Sequence, residues 1–137
     1  MSDTSEFAFD ARRDGATVLA RREGPAGTIL MNRPRALNAL DMDMITGLDA
    51  AIREFRDDAA VRLVVLEGAG GRAFCAGGDV RRIRDLALAG DAAGVETFFA
   101  GEYAVNAAIA NFGKPWISLI DGVCMGGGIG VSVHGSH

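Results

Sequence analysis

Two glycine-rich turns stand out for their chemistry, Ala73-Phe74-Cys75-Ala76-Gly77-Gly78-Asp79 and Asp121-Gly122-Val123-Cys124-Met125-Gly126-Gly127-Gly128-Ile129-Gly130. Each follows an apolar, strand-like run and each precedes a helix-like one. Glycine lets a main chain approach a ligand without an intervening Cβ, and N–H groups left free at a helix start carry partial positive charge. Two such turns can aim two backbone donors at one oxygen, as the stabilisation of an oxyanion requires. The chemistry indicated is acyl transfer or enolate formation.

A second chemical signal is a carboxylate in an apolar stripe. The periodicity predicts a helix from about Asp91 to Asn111, whose core-facing arc collects Val95, Phe98, Phe99 and Ile109, with Glu102 and Asn106 in its middle. A glutamate there must be paired, hydrogen-bonded or protonated. It is either a site residue or a structural one, in a Glu–Asn pair or at the edge of a rotated helix beside an arginine. Cys75 and Cys124 sit one in each glycine turn. With no CxxC and no His/Cys spacing suited to a metal, they read as small buried thiols rather than a disulfide, ligands or a nucleophile. Ser132, His134 and His137 form no recognisable triad, since no carboxylate is placed to orient an imidazole, and the histidines read as core or capping residues.

The elements that must position these groups follow from the pattern. Residues 17 to 20 and 28 to 31 are short apolar runs flanking Glu23-Gly24-Pro25-Ala26-Gly27, which predicts a hairpin. From Asp41 to Asp58, Ile45, Leu48, Ile52 and Phe55 recur at helical spacing, Asp41 can cap the start, and Asp49 with Arg53 forms an i,i+4 pair. Val61 to Leu66 and Trp116 to Ile120 read as strands covered on both faces. This alternation favours an α/β layout with a parallel sheet and glycine turns at the carboxyl ends of strands, where ligands bind. Asp79 would cap the helix that begins after Gly78, and Arg81, Arg82 and Arg84 read as its solvated face.

At 137 residues, 49% hydrophobic and 23% charged, the chain fits one modest globular domain. A net charge of -4 gathers neither nucleic acid nor an anionic membrane, and no apolar run is long enough to span a bilayer. Met1 to Asp14 has no signal-peptide pattern, so the expected location is cytoplasmic.

Three stretches resemble the crotonase (enoyl-CoA hydratase/isomerase) superfamily: Asn32-Arg33-Pro34-Arg35-Ala36-Leu37-Asn38-Ala39-Leu40, Arg72 to Asp79, and Lys114-Pro115 leading into Asp121 to Gly130. Within it, Phe98-Phe99-Ala100-Gly101-Glu102-Tyr103 with Asn106, and Met125 to Gly135, are most similar to the 3-hydroxyisobutyryl-CoA hydrolase branch. The resemblance implies a crotonase-like spiral of ββα units, of which residues 1–137 are the N-terminal portion of one domain. It also implies an acyl-CoA substrate, with coenzyme A part of that substrate and no separate cofactor or metal. The oxyanion donors map to the N–H groups of Ala76 and Gly127, beside Gly126. Glu102 maps to a substrate-contacting glutamate. Ala36 and Leu37 map to backbone contacts with coenzyme A, and Arg35, ahead of Arg33 and Arg72, to a phosphate partner.

The hydratases place a catalytic glutamate where this chain has Gly130, which disfavours two-glutamate hydration. The hydrolases have glycine there and draw a glutamate and an aspartate from a segment that would follow His137. Those carboxylates, and the C-terminal helices through which relatives oligomerise, lie outside this sequence. A hydratase or isomerase, a non-catalytic acyl-CoA-binding remnant and, least favoured, a nucleotide-binding domain remain as alternatives.

Overall fold

The computed structural model describes residues 4–6 and 16–137. β1 (Thr4–Glu6), β2 (Val18–Glu23) and β3 (Ala26–Met31) open the chain. β2 and β3 form the expected hairpin, antiparallel from Val18↔Met31 to Glu23↔Ala26. Their alternation buries Val18, Ala20, Ile29 and Met31 on one face. α1 (Met42–Asp57) lies against that face and buries Ile45, Leu48, Ile52 and Phe55, as their spacing predicts. Asp41 caps it by accepting the Met44 N–H at 2.9 Å, and Asp49 pairs with Arg53 at 3.0 Å. At its other end Lys114 Nζ donates to the carbonyls of Phe55 and Asp58 at 2.7 and 2.8 Å, satisfying acceptors the helix leaves open.

Then follow β4 (Leu63–Gly68), β5 (Ala73–Cys75), α2 (Val80–Leu88), α3 (Ala92–Ala110), β6 (Trp116–Leu119), β7 (Val123–Cys124) and α4 (Gly127–Val133). The main sheet has the order β1-β2-β3-β4-β6; β3, β4 and β6 are parallel and the N-terminal strands antiparallel, so the sheet is mixed rather than all parallel. Two strand expectations need correction. In β4 only Val64 and Leu66 are fully buried, and along β6 Trp116 is buried while Leu119 and Ile120 are 51% and 54% exposed. An apolar run shows that a strand can be covered on both faces, but which elements cover it is a tertiary matter. In addition, β5 and β7 form a separate two-stranded parallel sheet. Strands of three and two residues are too short for periodicity to reveal.

The loop between β3 and α1 fastens the first glycine turn. A 3-10 turn at Pro34–Ala36 leads into Leu37 and Asn38, both left-handed with φ of 53° and 55°. Asparagine tolerates this conformation, and here it is also fully buried. Asn38 Nδ2 donates to the carbonyls of Ala69 and Ala73 at 3.0 and 2.9 Å, and Oδ1 accepts the Arg33 N–H at 2.8 Å. Arg33 spans the same junction, with Nη2 2.8 Å from Asp79, Nε 3.4 Å from Asp41 and Nη1 donating to the Ala39 carbonyl. Asn38→Ala removes all three hydrogen bonds of this buried side chain at once, and is expected to destabilise the chain by about 3 kcal/mol or more in urea titrations. A loss below about 1 kcal/mol would show that the junction does not depend on this amide.

Candidate active site

Pairing of β5 with β7, in the register Ala73↔Val123 and Cys75↔Cys124, brings the two glycine turns side by side at the carboxyl ends of their strands. The Met125 N–H donates to the Cys75 carbonyl at 3.0 Å and locks the second turn onto the first. Contact between them is backbone on backbone. A Cβ on Gly77, whose φ is 105°, would lie 3.2 Å from the Met125 carbonyl oxygen and 3.5 Å from the Gly127 nitrogen. One on Gly127 would lie 2.5 Å from Glu102 Oε1 and 3.4 Å from the Gly78 nitrogen. Gly78, Gly127 and Glu102 therefore converge on one small space. Gly126 is the N-cap of α4, with φ 48°.

One of the two expected donors is not free. The Ala76 N–H is given to the Leu37 carbonyl at 3.0 Å. Beyond it the chain bridges Leu40: the Leu40 N–H donates to the Gly77 carbonyl at 2.7 Å, and the Asp79 N–H to the Leu40 carbonyl at 2.8 Å. The carbonyl of Gly77 and the N–H of Gly78 belong to one trans peptide and point in opposite directions, so with that carbonyl on Leu40 the Gly78 N–H faces away from the loop. It finds no acceptor among the described residues, and neither does the N–H of Gly127, the first residue of α4. The available pair is Gly78 and Gly127, not Ala76 and Gly127. The resemblance carried the donor to Ala76, whose partner comes from a loop almost forty positions earlier and is not visible in the motif itself.

α3 presents Phe98, Val105 and Ile109 to the core, with Glu102 partly buried between them. Phe99 departs from the predicted arc: it is 37% exposed, edge-on to Phe98 and stacked on Tyr103. No hydrogen bond or ion pair reaches Glu102 among the described residues, and burial pushes its carboxyl above the ordinary glutamate range. The edge-with-arginine reading is thus excluded among the described residues, and so is a hydrogen-bonded Glu–Asn pair.

The other candidates fall into place as structure. Burial raises the Cys75 thiol to about 11, with a backbone hydrogen bond of Gly77 opposing and Cys124 and Glu102 reinforcing the shift, so it is no thiolate nucleophile. Ser132 donates to the Gly128 and Ile129 carbonyls of its own helix, and His134 and His137 are exposed, His134 as the C-cap of α4. Neither histidine is a core residue. Asp79 caps α2 by accepting from Arg81 and Arg82. Its burial acts to raise its pKa, but the Arg33 hydrogen bond and these N–H groups prevail and lower it. Arg81, Arg82 and Arg84 are exposed, as expected.

Of the residues expected at a coenzyme A handle, Arg35 is exposed and makes no ion pair among the described residues, whereas Arg33 is consumed by Asp41 and Asp79. Arg72 is exposed. Ala36 and Leu37 spend their N–H groups on Arg33 and Pro34, and their carbonyls accept from Ala39 and Ala76, each keeping a second lone pair. This loop abuts the first glycine turn. No group of three or more metal-ligating side chains exists among the described residues, and no described helix is long and apolar enough to cross a membrane.

The family model described as Enoyl-CoA hydratase/isomerase matches residues 26–137. The chain is 46% identical over 123 residues to the mitochondrial 3-hydroxyisobutyryl-CoA hydrolase of Xenopus tropicalis, covering 90% of this chain and 31% of that protein. It is 42% identical to its counterpart in Homo sapiens, covering 86% of this chain and 30% of that one. The chain thus spans about a third of the length of these curated relatives. These curated relatives are mitochondrial proteins. Among solved structures, an enoyl-CoA hydratase from Rhodobacter sphaeroides superposes with a TM-score of 0.84 at 45% identity, covering 88% of this chain and 36% of that one. A carnitinyl-CoA dehydratase from Mycobacterium thermoresistibile does so with 0.84 at 43%, covering 88% and 35%. With a matched region extending from β3 to the last residue and a fold that superposes on these enzymes, the chain belongs to the enoyl-CoA hydratase/isomerase, or crotonase, family.

Proposed function

We propose that the chain carries the oxyanion and acyl-binding part of an acyl-CoA thioester hydrolase of the 3-hydroxyisobutyryl-CoA type. The observation that carries the reading is the convergence of two N–H groups without acceptors among the described residues, on Gly78 and Gly127, beside a partly buried glutamate that is likewise unpaired among them. A thioester carbonyl held there gains negative charge on oxygen as water adds to its carbon. Two preorganised donors lower that barrier, each by about 3 kcal/mol. On collapse the C–S bond breaks and the coenzyme A sulfur leaves, taking a proton, while the acyl group departs as its acid. Glu102 stands next to the developing oxyanion, placed to hydrogen-bond the acyl group or the attacking water, and burial raises its pKa.

The base that activates water is assigned to the carboxylates that the hydrolase branch carries after the segment matching this chain. Turnover is therefore expected of a longer form of the protein. Arg35, with the carbonyls of Ala36 and Leu37, serves as the coenzyme A handle. A hydratase is the second reading, favoured by the names of the matching structures. Against it stands Gly130: a Cβ there would lie 2.7 Å from Asn106 Nδ2, leaving no room for a second acid/base side chain without displacing the amide.

Gly127 is the first residue of α4, where proline is tolerated by the helix but lacks the N–H. Gly127→Pro is expected to lower hydroxyacyl-CoA hydrolysis by about a hundredfold or more, read as free-thiol release in the longest form the gene encodes. Gly127→Ala keeps the donor while crowding Glu102, and should lose much less. Equal turnover of the folded proline variant and wild type would remove the oxyanion assignment.

Glu102→Gln tests the carboxyl through both kinetics and stability. A folded-state pKa above the unfolded value of about 4.3 means stability that is fully present below that value and lost as pH rises through the folded pKa. The glutamine variant should therefore gain in Tm over wild type, by an amount that grows as pH rises above about 4.3. Its hydroxyacyl-CoA turnover should nevertheless fall. A variant that loses Tm at neutral pH while keeping full turnover would make Glu102 a structural residue.

A further inference from the structure

α3 turns two polar side chains toward the start of α4, one helical turn apart: Glu102 against Gly127 and Asn106 against Gly130. A Cβ at position 130 would lie 2.7 Å from Asn106 Nδ2 and 3.0 Å from Oδ1, so glycine is the residue that leaves the amide where it stands. That amide makes no hydrogen bond among the described residues, and its oxygen is buried without a partner. Asn38 offers the contrast, since it uses both ends of its amide in three bonds. A purely structural asparagine between two helices would be expected to do likewise, because a buried polar atom left unpaired is a net cost. An uncommitted amide at the rim of the site fits a hydrogen-bonding group brought by the ligand.

Its place along α4 indicates which group. Gly127 and Gly130 are three residues apart, about 4.5 Å along the helix axis. With the thioester carbonyl at the Gly127 N–H, an acyl chain following α4 brings its 3-position to Gly130 and the Asn106 amide. A hydroxyl both donates and accepts, so it can satisfy either end of that amide. We propose that Asn106 is a specificity-determining residue that hydrogen-bonds the 3-hydroxyl of the acyl group and so favours hydroxyacyl over plain acyl thioesters. This rests on the thioester reading of the same site.

The test compares 3-hydroxyisobutyryl-CoA with isobutyryl-CoA, which differ by that hydroxyl alone, in the longest form the gene encodes. The readout is the ratio of their kcat/KM values. Wild type should prefer the hydroxyacyl thioester, and Asn106→Leu, close in shape and without polar atoms, should lower the ratio ten- to a hundredfold. Gly130→Ala, whose methyl displaces the amide without removing it, should move the ratio in the same direction, and serves if the leucine variant does not fold. A ratio unchanged in both folded variants, or a wild type with no hydroxyl preference, overturns the role of Asn106 and leaves thioester hydrolysis standing. Failure of wild type to hydrolyse either thioester overturns the hydrolase reading, and the role of Asn106 with it.

Discussion

The site depends on how closely two backbones approach, Gly77-Gly78 and Gly126-Gly127. A Cβ on Gly77 or Gly126 would meet main-chain atoms of the opposing turn, one on Gly127 the Glu102 carboxyl, and one on Gly78 the Phe98 ring. Glycine is conformationally expensive in ordered chain, and here it is concentrated where two sets of N–H groups have to face one space. The pairing of β5 with β7 sets that approach, and the Asn38 and Arg33 junction holds the first turn from behind. The junction also decides which donor is free, because the loop it anchors takes the Ala76 N–H and leaves that of Gly78.

Around this frame the polar groups divide by how fully they are satisfied. Asn38, Arg33, Asp79 and Lys114 are saturated with short bonds to backbone or to one another, and they belong to the scaffold. Glu102 and Asn106, on the face of α3 that looks at α4, have no such bonds among the described residues. Uncommitted polar groups in an apolar setting are costly, and in a folded protein they concentrate where a ligand completes them. The boundary between scaffold and site is thus drawn by hydrogen-bond satisfaction rather than by residue type.

An apolar surface runs from the end of β6 through α4, where Leu119, Ile120, Met125, Ile129 and Val133 are all about half exposed or more. Both apolar-run strand expectations failed on coverage, since one face of β4 is only partly covered and the far end of β6 is open. The curated relatives are about three times as long as this chain.

The sequence by itself determined what depends on local pattern. The β2–β3 hairpin, the span and cap of α1, the Asp79 cap of α2, the solvated arginines that follow it and the presence of Glu102 in an apolar arc were all legible from spacing and residue type. So was the family, through combinations of short motifs. Tertiary structure alone decided which peptide groups face the site, because a free N–H is defined by partners distant in the chain: Leu37 for Ala76, and none among the described residues for Gly78. It likewise made Arg33 a scaffold residue, left the amide of Asn106 uncommitted and set the short β5–β7 pair. Each of these is a relation between segments far apart in sequence, and neither periodicity nor propensity carries information about distance in space.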